Sequence, residues 1–533
     1  MAAVCPFGSP RCFSVVNASG ATFGLALQLA VAQGLVNRHF GASVFIVGSP
    51  QFPGMKGIEW FPGSGCANCH GIRERWLTTY TKIGVGRQAV PLASNELLNA
   101  LRRHSLVKGG AMYSEEELHS LGPVMTACGT HDLLPVVSTA SLPGLEIKFD
   151  GRRRWSNALD ATWFVARELL PHTNRSTLAL QAPTELPFLA DAVVTWKLAM
   201  IWMDDMCHDP HQNAALRYIL EGSRHFSAAR QVEYLGWFNH TRLANTELVG
   251  QCTSEKRLIT IASDFAENLS FLARLPASPS APSEPWKQPP DAVTVSGYTR
   301  DRTYIAIIVS DGDNLAQDLW NLRPRLERRL ELRSRVPISW TVSNRWRDFG
   351  RPVLQWFYSA AGSSKGFDSF LMGPSGYGYL FPGAIEANAI RIDFARRTTE
   401  AAHALGMEAY VHWDVDRRID PDTTQRTTAA VSKYNNSAIR GVFMLGSDPI
   451  KDTVGDVVVI NHPALPWGWD NATAAAHALN SLERGTVSYV YMNMKADPQA
   501  ADTLSANLAP HVTLLGYREL IRVAQMKAGL PHK

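Results

Sequence analysis

Asp311-Gly312-Asp313-Asn314 puts two carboxylates two residues apart, directly behind the apolar run Tyr304–Val309. Other polar groups stand in the same position after other apolar runs: His412-Trp413-Asp414 with Asp416, then Asp448, then Asn461-His462. Carboxylates crowded into one cleft raise the pKa of some members, so that one holds a proton at neutral pH while another stays charged. Glycoside hydrolysis needs such a pair, an acid for the leaving oxygen and a carboxylate acting as nucleophile or base. Asp311 or Asp313 is the candidate for one partner and Asp414 or Asp448 for the other, with the choice among them open. The same Asp-Gly-Asp-Asn pattern also suits a turn in which Asp313 or Asn314 caps the following helix.

Gly373-Pro-Ser-Gly-Tyr-Gly-Tyr-Leu-Phe-Pro382 follows the apolar run Phe367–Met372. Its glycines permit positive φ and close approach, and its prolines fix the path of the loop. Tyr377 and Tyr379 carry flat apolar faces with a hydroxyl at the rim, suited to stacking on a sugar ring. Candidate substrate contacts are Asn314, Ser375, Gly376, Tyr377, Gly378, Tyr379, His412, Trp413, Asn461 and His462. Trp413 adds a further stacking face.

The elements that must position these groups read as α/β throughout. From Tyr304 onward, apolar strand candidates fall at Tyr304–Val309, Ile338–Val342, Phe367–Met372, Glu408–His412, Gly441–Leu445, Val457–Ile460, Ser488–Met492 and Val512–Leu515. Segments of helical period separate most of them, for example Leu315–Leu332 and Ile390–Leu405. Short buried strands alternating with helices imply right-handed βαβ units and a parallel sheet. The spacing predicts a TIM-like (β/α) barrel with its chemistry at the C-terminal strand ends. The gap between the fifth and sixth strands is too short for a full helix, which makes the barrel irregular; an open doubly wound sheet is the alternative. Two smaller α/β units precede it. The boundaries read as 1–148, 149–274, a Pro/Ser-rich linker at 275–298, and the putatively catalytic region 299–533. The linker composition favours extended, solvated chain. Long helices are expected at Gly24–Arg38, Asn157–Leu170 and Ala190–Met206, and a further helix near Ile72–Tyr80.

Gly376-Tyr-Gly378-Tyr379-Leu-Phe381-Pro382 resembles the signature of the GxGYxYP family of putative glycoside hydrolases, with Phe381 where the signature has its second Tyr. Val309-Ser-Asp311-Gly312-Asp313-Asn314 is similar to that family's strand-end segment. Gln33-Gly-Leu-Val-Asn-Arg38 and Ala262-Ser-Asp264-Phe-Ala-Glu-Asn268-Leu-Ser270 resemble its N-terminal and middle segments. The resemblance implies a carbohydrate substrate and assigns no catalytic residue.

With 533 residues, two to four domains are expected. The net charge of +4, without basic runs interleaved with aromatics, speaks against nucleic acid as a partner. No run of eighteen apolar residues suggests a transmembrane segment. Phe23–Ala32 is interrupted by Gln28 and reads as a folded helix, not a signal peptide. Seven cysteines are too sparse for a disulfide framework, and Cys66-Ala-Asn-Cys69-His70 lacks the surroundings of a haem site, so no cofactor is assigned. Six N-x-S/T sequons are compatible with secretion, although Asn268 falls in a family-like segment and reads as structural. Two other functions fit the residues. One is a metal-dependent carbohydrate deacetylase-like hydrolase, with Asp311 and Asp313 joined by His412 or His462. The other is a non-catalytic glycan-binding protein.

Overall fold

The computed structural model describes residues 5–48, 72–83, 87–138, 144–227, 229–238, 246–276, 285–414, 422–446, 449–461, 463–466, 469 and 471–531. Four sheets carry the fold. The first has order β2-β1-β3 and joins β1 (Cys12–Asn17), β2 (Val44–Val47) and β3 (Gln88–Pro91). The second has order β5-β4-β6, from β4 (Gly109–Met112), β5 (Leu133–Val136) and β6 (Ile147–Asp150). The third has order β10-β9-β7-β8, from β7 (Thr177–Leu180), β8 (Ala199–Ile201), β9 (Val232–Gly236) and β10 (Leu258–Ala262). All pairings in these three sheets are parallel.

The large sheet contains β11 (Thr303–Val309), β12 (Ile338–Val342), β13 (Asp368–Met372), β14 (Ala409–Trp413), β15 (Gly441–Leu445), β16 (Thr453–Val454), β17 (Val457–Ile460), β18 (Val487–Met492) and β19 (Val512–Leu515). Its order is β16-β17-β15-β14-β13-β12-β11-β18, and β19 pairs with the first half of β11. Only β16 runs antiparallel; it fills the short gap between β15 and β17 where no helix fits. A parallel bridge from Pro463 to Tyr489 links the chain just past β17 to β18. Ile308, Leu371, Val411, Phe443, Ile460 and Tyr491, from six strands, meet in one buried cluster. Helix Tyr517–Ala528 adds Leu520, Ile521 and Val523 to it. The alternate residues Ile307, Trp340, Met372 and Val490 pack in the other large cluster, as period-two strands require.

The predicted strands of the large sheet recur within a residue or two at each end. Elsewhere three expectations change. The helix predicted over Ala190–Met206 ends at Trp196, where Lys197 takes a left-handed conformation, and β8 follows. The helix predicted over Asn157–Leu170 is α-helical only to Phe164 and continues as a π-turn through Leu169. The described part of the proline-rich stretch alternates exposed and packed residues: Trp286 is buried against Tyr358, and Gln288 bonds Phe370 and Gly406.

Cysteine sparseness also misled. Cys5 pairs with Cys12 and Cys207 with Cys252, while Cys128 is free and buried. The Cys66-Cys69-His70 motif lies outside the described residues. Among the described residues no helix is long and apolar enough to cross a membrane.

Two family-like segments turn out to be bolted together. Gln33 donates to Asn268 Oδ1 at 2.6 Å, and Asn37 donates to Ser270 Oγ at 3.0 Å. Asn268 also holds both backbone groups of Ile46 and is 4% exposed, so its sequon serves the interior. Buried amides bonded on every side specify one docking between the first and third sheets.

Candidate active site

The strand β11 ends in a tight turn. Asp311 adopts φ +63, a left-handed conformation that aspartate tolerates better than most side chains. Gly312 follows because its backbone presses on β12: a Cβ there would lie 2.0 Å from the Thr341 carbonyl oxygen. Thr341 Oγ1 accepts from Gly312 N at 2.9 Å, and Ser310 Oγ donates to Asp311 Oδ2 at 2.5 Å. Asn314 caps the next helix, its Oδ1 accepting from Ala316 N at 2.8 Å. The turn reading of this segment therefore holds, and the cap at Asn314 fixes the turn on which Asp311 and Asp313 stand.

Asn314 has a second partner that sequence reasoning missed. Its Nδ2 donates at 2.8 Å to Oδ1 of Asp264, which stands just past β10 in the third sheet. Gln181, just past β7, donates to the Asp264 backbone carbonyl at 3.1 Å and to Glu185 Oε2 at 2.7 Å. It also accepts from Trp237 N, past β9, at 3.2 Å. The C-terminal strand ends of the third sheet thus meet the C-terminal end of β11. Asp264, Asp311, Asp313, Asn314, Glu185 and Trp237 all retain partial exposure.

Burial with few compensating cations pushes these carboxyls upward. Asp313 is raised well above the carboxylate range, by burial first and then by Asp311 and Asp264. Burial also raises Asp311, with Ser310 and Lys495 opposing it. Asp264 is pushed up to about 6, chiefly by burial. Glu185 is pushed up to about 8, by burial and then by Asp264. Asp318, fully buried one turn beyond Asn314, is held well above its usual range by burial, with Asp313 adding to it. Asp318 Oδ2 accepts from Ser343 N and Trp346 Nε1, and its Oδ1 has no partner. It sits in the π-turn Asp318–Leu322, where Arg323 N–H reaches back to its carbonyl.

The other predicted residues fall into separate knots. Asp414 is 2% exposed, and its Oδ2 accepts from Thr427 Oγ1 at 2.7 Å and from Gly383 N at 2.8 Å. His412 lies 3.1 Å from that oxygen through Nε2 and 2.9 Å from Tyr410 OH through Nδ1. Both side chains are committed to locking the loop onto β14. Ser375 is fully buried and bridges the backbone N–H and carbonyl of Trp413. Asn344 donates to the Gly376 carbonyl at 2.6 Å, and Gly376 itself needs its φ of +104. Asn461 holds Ile450 and Asp452 in the connection between β15 and β17. Asp448 and His462 lie outside the described residues.

The two tyrosines of the loop do different work. Tyr377 lies over the guanidinium of Arg345, 4.4 Å away, and near that of Arg397 at 5.3 Å. Its hydroxyl donates to Glu233 at 3.1 Å, and Glu233 pairs with both arginines at 2.9 Å. Tyr379 pairs its backbone with Thr260, covering the free edge of β10. Its ring stands 5.1 Å from Trp237 in a cluster with Phe381 and the partly exposed Trp413. Gly378 permits this pairing, since a Cβ there would meet Ile259 Cγ2 at 2.6 Å.

A parallel α/β unit with an acidic strand end and an aromatic loop is what the known families must be compared with. Residues 301–504 match the model of the GxGYxYP putative glycoside hydrolase C-terminal domain. The resemblance read from the Gly/Tyr loop and the Asp-Gly-Asp-Asn turn thus holds for this part of the chain. The chain is also similar to a crystal structure of a putative hydrolase from Bacteroides thetaiotaomicron VPI-5482. The match has a TM-score of 0.76 and 17% identity, and covers 98% of this chain and 96% of that one. At that identity the likeness is one of fold. No curated protein matches.

Proposed function

We propose that this protein hydrolyses a glycosidic bond at the C-terminal end of β11, with the Asp311–Asp313 turn supplying a carboxylate of the reacting pair. The large sheet is read as a closed, irregular (β/α) barrel. Three features support that reading: the strand order, the bridge from Pro463 to Tyr489, and a single cluster fed by alternate residues of six strands. In this reading 299–533 is the catalytic region, and 1–148 and 149–274 are the smaller units that brace it.

The observation that carries the function is the turn itself. Asp311 and Asp313 are held in a bonded turn, stay partly exposed, and stand beside further carboxyls, with Lys495 the cation that acts on Asp311. The Asp311 charge makes Asp313 harder to ionise, so the two carboxyls favour one charged and one protonated member. The charged member has the role of nucleophile or base toward an anomeric carbon. Trp237 and Trp413 offer the faces on which a sugar ring would stack. The reading gives Tyr377, Asp414, His412, Ser375 and Asn461 a supporting role, in keeping with their bonds.

Asp311→Asn and Asp313→Asn are expected to lower turnover by at least about 100-fold with no loss of stability at neutral pH. Loss of wild-type turnover on chelation, restored by a divalent metal, would favour the deacetylase-like alternative. Glycan binding without turnover in the wild type would favour a binding protein.

A further inference from the structure

The third sheet brings a carboxyl to the reacting turn from outside the large sheet. Asp264 stands at the C-terminal end of β10, and its Oδ1 accepts from Asn314, the residue next to Asp313. Asn314 is itself fixed, because its other amide atom caps the helix beginning at Leu315. The partner is therefore rigid, directional and uncharged.

Among the described residues, the charged and titratable groups facing Asp264 are Glu185 from the turn after β7, Tyr234 from β9, and Asp313 from the large sheet. None is a cation. A partly buried carboxyl beside other acids and a neutral amide holds its proton more tightly than a free aspartate does, and burial pushes Asp264 up to about 6. With Oδ1 occupied as an acceptor, that proton resides on Oδ2. Gln181 holds both the Asp264 backbone and Glu185, and the Asn314 bond fixes the carboxyl itself.

We infer that Asp264 is the general acid of the reaction, delivered by the third sheet to complete a site whose other carboxylate lies on the Asp311–Asp313 turn. This rests on the glycosidase reading above. Asp264 Oδ2–H gives its proton to the glycosidic oxygen as the bond to the anomeric carbon breaks and its electron pair passes to that oxygen. The leaving sugar departs as an alcohol. The Asp311–Asp313 carboxylate supplies the electrons at the anomeric carbon, directly or by taking a proton from the attacking water. Asp264, left as a carboxylate, regains a proton from water.

A leaving-group series separates this inference from the reading beneath it. 4-Nitrophenyl glycosides of the common monosaccharides identify a sugar that is turned over; 2,4-dinitrophenyl and alkyl glycosides of that sugar then compare the variants. Dinitrophenolate leaves without protonation, so Asp264→Asn is expected to retain turnover within about tenfold on that substrate. On the alkyl glycoside the same variant is expected to lose at least about 100-fold, and to lose the basic limb of its pH profile. Asp311→Asn is expected to fail on both substrates. Equal loss by Asp264→Asn on both substrates, or none on either, overturns the assignment of the acid; full activity of Asp311→Asn and Asp313→Asn overturns the glycosidase reading.

A measurement without substrate bears on the same point. In protein carrying carboxyl-13C aspartate, one resonance absent from Asp264→Asn is expected to titrate near 6. A resonance in the ordinary carboxylate range overturns the inference.

Discussion

Asp264, Asp311 and Asp313 show how the chemistry of one residue is set by which neighbours carry no charge. Around Glu233 the opposite arrangement holds. Burial pushes Glu233 up, yet Arg345 and Arg397 hold it below the usual glutamate range. Glu233→Gln is expected to leave Arg345 with Asp348 and Arg397 with Asp393 as their remaining carboxylate partners and to destabilise the protein by about 3 kcal/mol, read from denaturant unfolding. Tyr377→Phe removes only the hydroxyl bond to Glu233 and is expected to cost about 1 kcal/mol. The acids of the β11 turn were legible in the sequence because they follow a strand directly. Their partner was not, since Asp264 lies 50 residues away on another sheet. The available signal was Asp264 itself, a lone carboxylate directly behind the apolar run Leu258–Ala262, the pattern that marked Asp311. Asp414 matched that pattern too, but a strand-end position does not reveal whether a carboxylate is already satisfied by Thr427 and Gly383.

Among the elements, the Gly/Tyr loop is the joint between two sheets. It caps the edge of β10 through Tyr379 and is pinned to β14 through Ser375. Gly378→Ala would drive a methyl into Ile259 and is expected to cost roughly 1–3 kcal/mol. Activity is expected to fall with it, because the Tyr379–Thr260 pairing holds Trp237 and Asp264 in place; Tm and turnover measured together check this. Most strands of the large sheet were legible because they are short, largely apolar runs bounded by polar turns. β9 was not, since it is short and Glu233 interrupts its apolar run; its carboxylate is paid for by two arginines distant in sequence. The helix break at Lys197 was equally hidden, because the apolar pattern continues through it into β8.

For the whole molecule, the raised carboxyls set the direction of pH dependence. Asp264, Asp313, Asp318 and Glu185 bind protons more tightly folded than unfolded. Stability therefore falls as pH rises through their range and is greater near pH 5 than near pH 8. Glu185→Gln is expected to flatten the part of that slope between about 4.5 and 8, measured as Tm against pH. The Cys207–Cys252 bridge closes a separation of 45 residues, and Cys207→Ser with Cys252→Ser is expected to cost about 4 kcal/mol. The central claim is hydrolysis at the β11 turn, and turnover of a glycoside by wild type beside the Asp311→Asn, Asp313→Asn double variant tests it most directly. The account predicts release of reducing sugar by the wild type and at least a 1,000-fold loss (~10³) in the equally stable double variant. Undiminished hydrolysis by the double variant would contradict it.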